Sequence, residues 1–406
     1  MVAATERSGP LAGMRVIELA HIMAGPVCGL MLADMGAEVI KVEKMDGDDT
    51  RRTVPPALEG ESAAYMMMNR GKRGISLDLK DPDGIAVLRR LLKGADALIE
   101  NYRGGTMERL GIGYETLREE FPELVYCSLS GFGRTGPYAD RAGFDLVAQG
   151  MSGLMSVTGE GPGRPPMKCG PPVTDITAGI LAAMGVLAAY SNRLRTGRGQ
   201  AVDTSLFEAG ITHTYWQSAI AMATGVAPGP MGSAHPLNAP YEAFETADGW
   251  ITIGAANQTN WLRLLKTIGA EALAEDQRFA HNRDRMANRH ELAATLAPIF
   301  RAQSSAEWLA RLEAGGVPAG PVLDVNAMHQ DPQTLAREMV VEVDHPRVGP
   351  MRTLGLPVKF SDTPGRVHGP APLLGEHSRA ILAEAGYSAA EIDGLIARGV
   401  VRETLA

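Results

Sequence analysis

The sequence predicts an α/β protein whose larger part is a doubly wound, Rossmann-like parallel sheet. Three observations carry that reading. β-rich runs recur through the first third of the chain: MRVIEL (14–19), EVIKVEK (38–44), GISLDL (74–79), ALIENY (97–102) and LVYCSLSGF (124–132). The segments between them place apolar residues at helical spacing, so strands and helices alternate as in βαβ units. At 406 residues the chain exceeds one simple core, and two domains are expected.

The first unit is complete within 45 residues, with PVCGLMLADMGA (26–37) as the helix between two strands. A helix then opens on Asp81-Pro82 and carries apolar Ile85, Val87, Leu88, Leu91 and Leu92 on one face. TGEGPGRPPMKCGPP (158–172) is dense in Gly and Pro and reads as a loop. A long helix over about 174–195 and a strand, QAVDTSL (200–206), close this half. GVAPGPMGSAHPLNAP marks a linker or lid near 224–240, and a hairpin turns at Ala247-Asp248-Gly249. Helices rich in Trp, Leu and Arg run to about 313, so residues 225–330 are expected to form a smaller α+β domain after a large domain over 1–224. The remaining residues, 331–406, hold strand-like pieces and one amphipathic helix, SRAILAEAGY.

Composition narrows the function. A net charge of −8 argues against a nucleic-acid binder, which needs a basic stripe. Three scattered cysteines, Cys28, Cys127 and Cys169, make neither a disulfide framework nor a zinc site, and suggest a reducing compartment. No secretion signal opens the chain, and the Ala- and Gly-rich run 176–193 reads as a core helix rather than a membrane span. A cytoplasmic protein without a metal is the expectation.

The first strand-to-helix turn, AHIMAGPVCG, lacks the dinucleotide fingerprint G-x-G-x-x-G. P-loop, H-E-x-x-H and G-x-S-x-G patterns are also missing, and GFGRTG (131–136) reads as a plain turn. His21 stands at the C-terminal end of the first strand, where α/β sites form. Asp175, in GPPVTDITAG, leads the long helix. There a carboxylate, or Thr174 beside it, serves as a cap; the same position also suits an ionised nucleophile that attacks an acyl carbonyl. Local pattern leaves both open.

The opening PLAGMRVIELAHIMAGPVCGLMLADMGAEVIKVEK resembles the start of class III CoA-transferases (CaiB/BaiF type). The likeness continues in order through GDDTRR, NRGKRGISLDLKDPDG, ENYRGGTMERLGIGYETL, LVYCSLSGFGRTGPYADRAGFDLVAQG, RTGRGQAVDTSLFEA and APLLGEHS. It implies a large domain built from both chain ends, with 331–406 returning to it, and an interlocked homodimer. It also implies that Asp175 is the nucleophile, that a coenzyme A thioester is substrate and that no cofactor is permanently bound. Lys44, Leu77, Lys80, Asn101, Tyr102 and Arg109 match the family's CoA contacts, with Arg141 a further one. His21 and Met23 match the thioester end of the pocket.

Formyl-CoA:oxalate transferases carry Gln in place of Met23 and a tetraglycine lid, where this chain reads GPMGSAHPLNAPYEAF. The pattern is closer to the succinyl-CoA-dependent glutarate (hydroxymethylglutarate) branch. Arg51, Arg52 and His21 are then candidates for a distal carboxylate. α-Methylacyl-CoA racemases share the fold and use the His of a GHD triplet as an acid–base group. Here the triplet is Gly143-Phe144-Asp145, and Phe cannot exchange a proton.

Overall fold

Six parallel strands build the central sheet: β1 (Arg15–Glu18), β2 (Glu38–Glu43), β3 (Arg73–Leu77), β4 (Ala97–Glu100), β5 (Val125–Ser130) and β6 (Ala201–Ser205). A seventh, β7 (Val401–Arg402), pairs antiparallel with β3, Val401 opposite Leu77. The order β7-β3-β2-β1-β4-β5-β6 steps outward from β1 on one side, then crosses over to β4 on the other. The crevice beyond the C-terminal ends of β1 and β4 is therefore the topological switch point, where open α/β sheets bind ligands. The computed structural model describes residues 7–404.

Side-chain alternation along the strands feeds two cores. Val16, Val39, Ala97, Ile99 and Cys127 face one side, against helices α1 (Ala24–Asp34) and α4 (Val173–Thr196). Ile17, Ile40, Leu98 and Tyr126 face the other, against α2 (Pro82–Leu92) and residues 381–401. Helix α2 starts as its sequence predicts: the Asp81 carboxylate accepts from Asp83 N at 2.8 Å and Pro82 opens the first turn. Helix α1 buries all but one of its residues, in keeping with its apolar sequence.

Helix α4 is long and apolar enough to span a membrane, and its burial is one-sided. Ala178, Gly179, Ala182, Ala183, Val186 and Ala189 are buried, whereas Ile180, Met184 and Leu194 are exposed. Gly179 lets it approach α1 closely, since a Cβ there would lie 2.6 Å from Ala24 O. Two short helices, α3 (Asp145–Met151) and α5 (Leu206–Thr212), pack on α4 and on each other.

The chain separates into two compact units. One holds the residues up to Ser152, Gly170–His213 and the chain from Pro332 onward; the other holds Gly153–Cys169 and Thr214–Asp331. The smaller unit thus takes residues 153–169, most of the Gly/Pro-rich loop, and residues 214–224, which the expected boundary assigned to the large domain. It contains an antiparallel sheet of Tyr241–Glu245, Trp250–Gly254 and Ala319–Pro321, with the hairpin where the sequence predicts it. Phe244, Trp261, Phe279, Phe300 and Trp308 fill its core.

Candidate active site

A cavity of about 470 Å³ opens at the switch point. Its walls come from the β1–α1 turn (Ala20–Ala24), the ends of β2, β4 and β5, the segment 139–144, and Asp175. Close backbone contact shapes the 139–144 wall. A Cβ on Gly131 would stand 2.6 Å from Gly143 Cα, so neither GFG nor AGF tolerates a side chain there.

Asp175 occupies the third position of α4, inside the first turn. The residue at the cap is Pro172, which has no capping side chain. The cap instead comes from α3: Asp145 Oδ1 accepts from Thr174 N at 3.0 Å and from Thr174 Oγ1 at 2.7 Å. Gln149 Nε2 holds the other Asp145 oxygen at 2.7 Å. Asp175 is thus released from capping, and no hydrogen bond to its carboxylate is recorded among the described residues. Burial and the neighbouring charge of Asp145 push its pKa up from the ordinary 3.8 to about 7. The N-terminal end of α4 pulls the other way, favouring the anion. A half-buried carboxylate without donors, facing a cavity, is a base or a nucleophile in waiting.

Opposite lies the β1–α1 turn. Asn101, at the end of β4, clasps the His21 backbone through both groups, accepting from His21 N at 2.9 Å and donating to His21 O at 2.8 Å. The His21 ring packs on Tyr102 with centroids 5.6 Å apart. Burial lowers its pKa against the pull of Asp48, so the neutral imidazole lines the cavity. Beneath the turn runs a buried ionic network. Lys41 Nζ touches Glu18 Oε1 at 3.1 Å and Asp48 Oδ2 at 2.9 Å, and Lys72 Nζ meets Glu18 Oε2 at 2.8 Å. Burial works against the Lys41 charge, but Glu18, Asp48 and Glu43 outweigh it and hold the ammonium above its usual range. Lys72, with one carboxylate in direct contact, is brought down by burial to about 8.

Of the residues singled out from sequence, His21, Met23, Lys44, Asn101, Tyr102, Arg141, Phe144 and Asp175 line the cavity. Others do not. Leu77 is fully buried in the core against the far face of the sheet and has no surface to offer coenzyme A. Arg51 is locked on Glu43 at 2.7 Å and over the Tyr65 ring at 3.7 Å, so it braces the loop after β2 rather than meeting a substrate carboxylate. Arg52 pairs with Asp46 and Asp49 on the surface. Lys80 and Arg109 are exposed, Arg109 bonding Thr106 Oγ1 at 2.9 Å. Asp145 stands behind the wall as the cap described above. Sequence reasoning missed Lys41, Asp48 and Glu18; the signal was a lysine and an acid inside strands otherwise too apolar for the surface. Among the described residues no cluster of His, Cys, Asp or Glu fits a metal ion.

Residues 11–378 match the family model described as CoA-transferase family III. The chain belongs to that family. As a family III transferase it is an enzyme, and it has full-length relatives. It is 42% identical to a succinate–glutarate CoA-transferase of Agrobacterium fabrum, over 93% of this chain and 96% of that one. It is 40% identical to a succinyl-CoA:mesaconate CoA-transferase of Haloarcula marismortui, over 93% and 97% of the two chains. A crystal structure of a CAIB/BAIF family protein from Brucella suis superposes with a TM-score of 0.83 at 41% identity, covering 93% of the transferase and 100% of that chain.

Proposed function

We propose that the transferase moves coenzyme A from succinyl-CoA to a second dicarboxylate, through an anhydride on Asp175. The observation that carries this reading is the position of Asp175: freed of capping by Asp145, without a donor, and lining the cavity at the switch point. The succinyl donor and dicarboxylate acceptor are suggested by the named relatives above.

The Asp175 oxygen attacks the thioester carbonyl, the C–S bond breaks, and CoA leaves as thiolate with a succinyl–aspartyl anhydride behind it. The thiolate then attacks the aspartyl carbonyl, giving aspartyl-CoA thioester and succinate. The acceptor carboxylate displaces CoA to form a second anhydride, and the thiolate takes the new acyl group and frees Asp175. Every step passes through a tetrahedral oxyanion that needs a donor, and every anhydride must be kept from water. Met23 and Phe144 supply apolar wall for the second task; Lys44 and Arg141, at the cavity mouth with Tyr102 and Asn101, suit the anionic CoA. A racemase needs a second proton-exchanging group, and Phe144 in the cavity wall offers none.

The working form we read as a homodimer, interlocked as the family resemblance implies. Phe144, Leu146, Val147, Ile180, Met184 and Ile211 are exposed on the packed helices α3, α4 and α5 and their lead-in, an apolar surface that a second copy would cover.

The test is incubation with succinyl-CoA followed by hydroxylamine. A transferase yields an aspartyl hydroxamate at Asp175, found by peptide mass, and wild-type turnover with glutarate or mesaconate. Transfer to oxalate alone favours the formate–oxalate branch. α-Proton washout from a 2-methylacyl-CoA without transfer overturns the proposal in favour of the racemase.

A further inference from the structure

The turn between β1 and α1 is held against its own preference. Ile22 has φ +66°, a left-handed backbone that a β-branched residue rarely adopts. Side chains from other segments take four successive backbone groups of this turn. Lys41 Nζ donates to Ala20 O at 2.9 Å, and Asn101 clasps His21 N and O. Asp48 Oδ1 accepts from Ile22 N at 3.2 Å. Asp48 is itself fixed from three sides. Its Oδ1 also accepts from Thr50 N and Oγ1 at 2.9 and 2.8 Å, and its Oδ2 meets Lys41 at 2.9 Å. Its N–H donates to Glu43 Oε2 at 2.9 Å, and Glu43 is gripped in turn by Arg51. Such investment in one loop residue marks a constrained functional element rather than a connector.

We propose that Asp48 is a positioning residue of the transfer reaction: by fixing Ile22 it aims the His21–Met23 turn into the cavity faced by Asp175. The proposal rests on Asp175 as the nucleophile. Arg51 belongs to the same device, one step further back, through Glu43.

The experiment compares Asp48→Ala and Asp48→Asn in the wild-type background and in an Ile22→Gly background, since glycine adopts positive φ without help. Turnover and KM with succinyl-CoA and glutarate, CoA affinity by calorimetry, and thermal melting are measured. Asp48→Ala is expected to lower kcat tenfold or more with CoA affinity within threefold of wild type. Asp48→Asn keeps an acceptor for Ile22 N–H and loses less. With Ile22→Gly in place, adding Asp48→Ala is expected to lower kcat no more than threefold further. An equal loss in both backgrounds, or a loss that falls wholly on CoA affinity, overturns the proposal. If Asp48→Ala leaves Lys41 too poorly compensated to fold, Asp48→Ser, which keeps Lys41 and its bond to Ala20 O, is compared in the same two backgrounds and read by the same criteria. Asp175→Asn is run alongside; full turnover there retires the nucleophile assignment, which the Asp48 comparison does not touch.

Discussion

Asp175 is a half-buried carboxylate beside another carboxylate, and that makes it a liability for folding as well as a tool. Its raised pKa means that the folded chain binds a proton more tightly than the unfolded chain does. Stability attributable to this group therefore falls as pH rises from about 4 and is fully lost above about 7. Asp175→Asn should remove the liability. We expect it to be more stable than wild type at pH 8, by up to about 4 kcal/mol for a pKa raised from 3.8 to about 7, and to match wild type at pH 4. The same variant should lose at least about a thousandfold in kcat, because an amide is no nucleophile. A melt and a rate on one preparation check both. Protonation also silences the nucleophile, so kcat should decline below about pH 7. Burial first, then the charge of Asp145, set that midpoint, against the pull of the α4 N-terminus. Among the cations, Lys44→Ala should raise KM for succinyl-CoA with little change in kcat, while Arg109→Ala, outside the cavity wall, should leave both within twofold.

At the scale of elements, the segment Arg141–Phe144 depends on two glycines back to back. Gly143→Ala has nowhere to put its methyl group except into the backbone at Gly131. The wall that carries Phe144 should shift, with a kcat loss of about tenfold or more and a smaller change in melting temperature, measured on the purified variant. The strands and their helices were legible because their apolar period is strong and each parallel strand ends near a turn signal. His21 was legible for a related reason, since strand ends are where sites form on such sheets, whereas Asn101 and the role of Asp175 came only from the family resemblance. The buried network was not. In EVIKVE the alternation around Lys41 reads as a residue facing solvent, and pattern cannot distinguish water from a buried carboxylate as the partner of a charge. Leu77 and Arg51 failed similarly. Whether a side chain enters the cavity or the core depends on strand parity and loop course, which motif position alone does not give. Residues 158–172 read as a loop, yet all but the last three pack with a unit whose bulk begins at Thr214, 45 positions after Cys169.

On the scale of the whole molecule, the exposed apolar surface of α3, α4 and α5 is the feature most at odds with a solitary chain. Replacing Ile180 and Met184 together by Asp should shift the enzyme toward monomer in sedimentation equilibrium, with turnover falling alongside. A monomeric wild type at micromolar concentration would contradict the assembly proposed here. The strand β7 has a consequence of another kind. Val401 pairs with Leu77 at the sheet edge, and Ile381, Leu382, Ile392, Leu395 and Val400 fill the same core as Ile75 and Val87. On the ribosome these partners emerge far apart: 401 − 77 = 324 residues, roughly 15 to 65 seconds of synthesis at ordinary rates. Throughout that interval the nascent sheet shows an open edge and an uncovered greasy face, while the entire smaller unit is being made. Synthesis must therefore have passed residue 401 before the larger unit can close, and the newborn chain is a natural client for chaperones that shield such faces until β7 arrives.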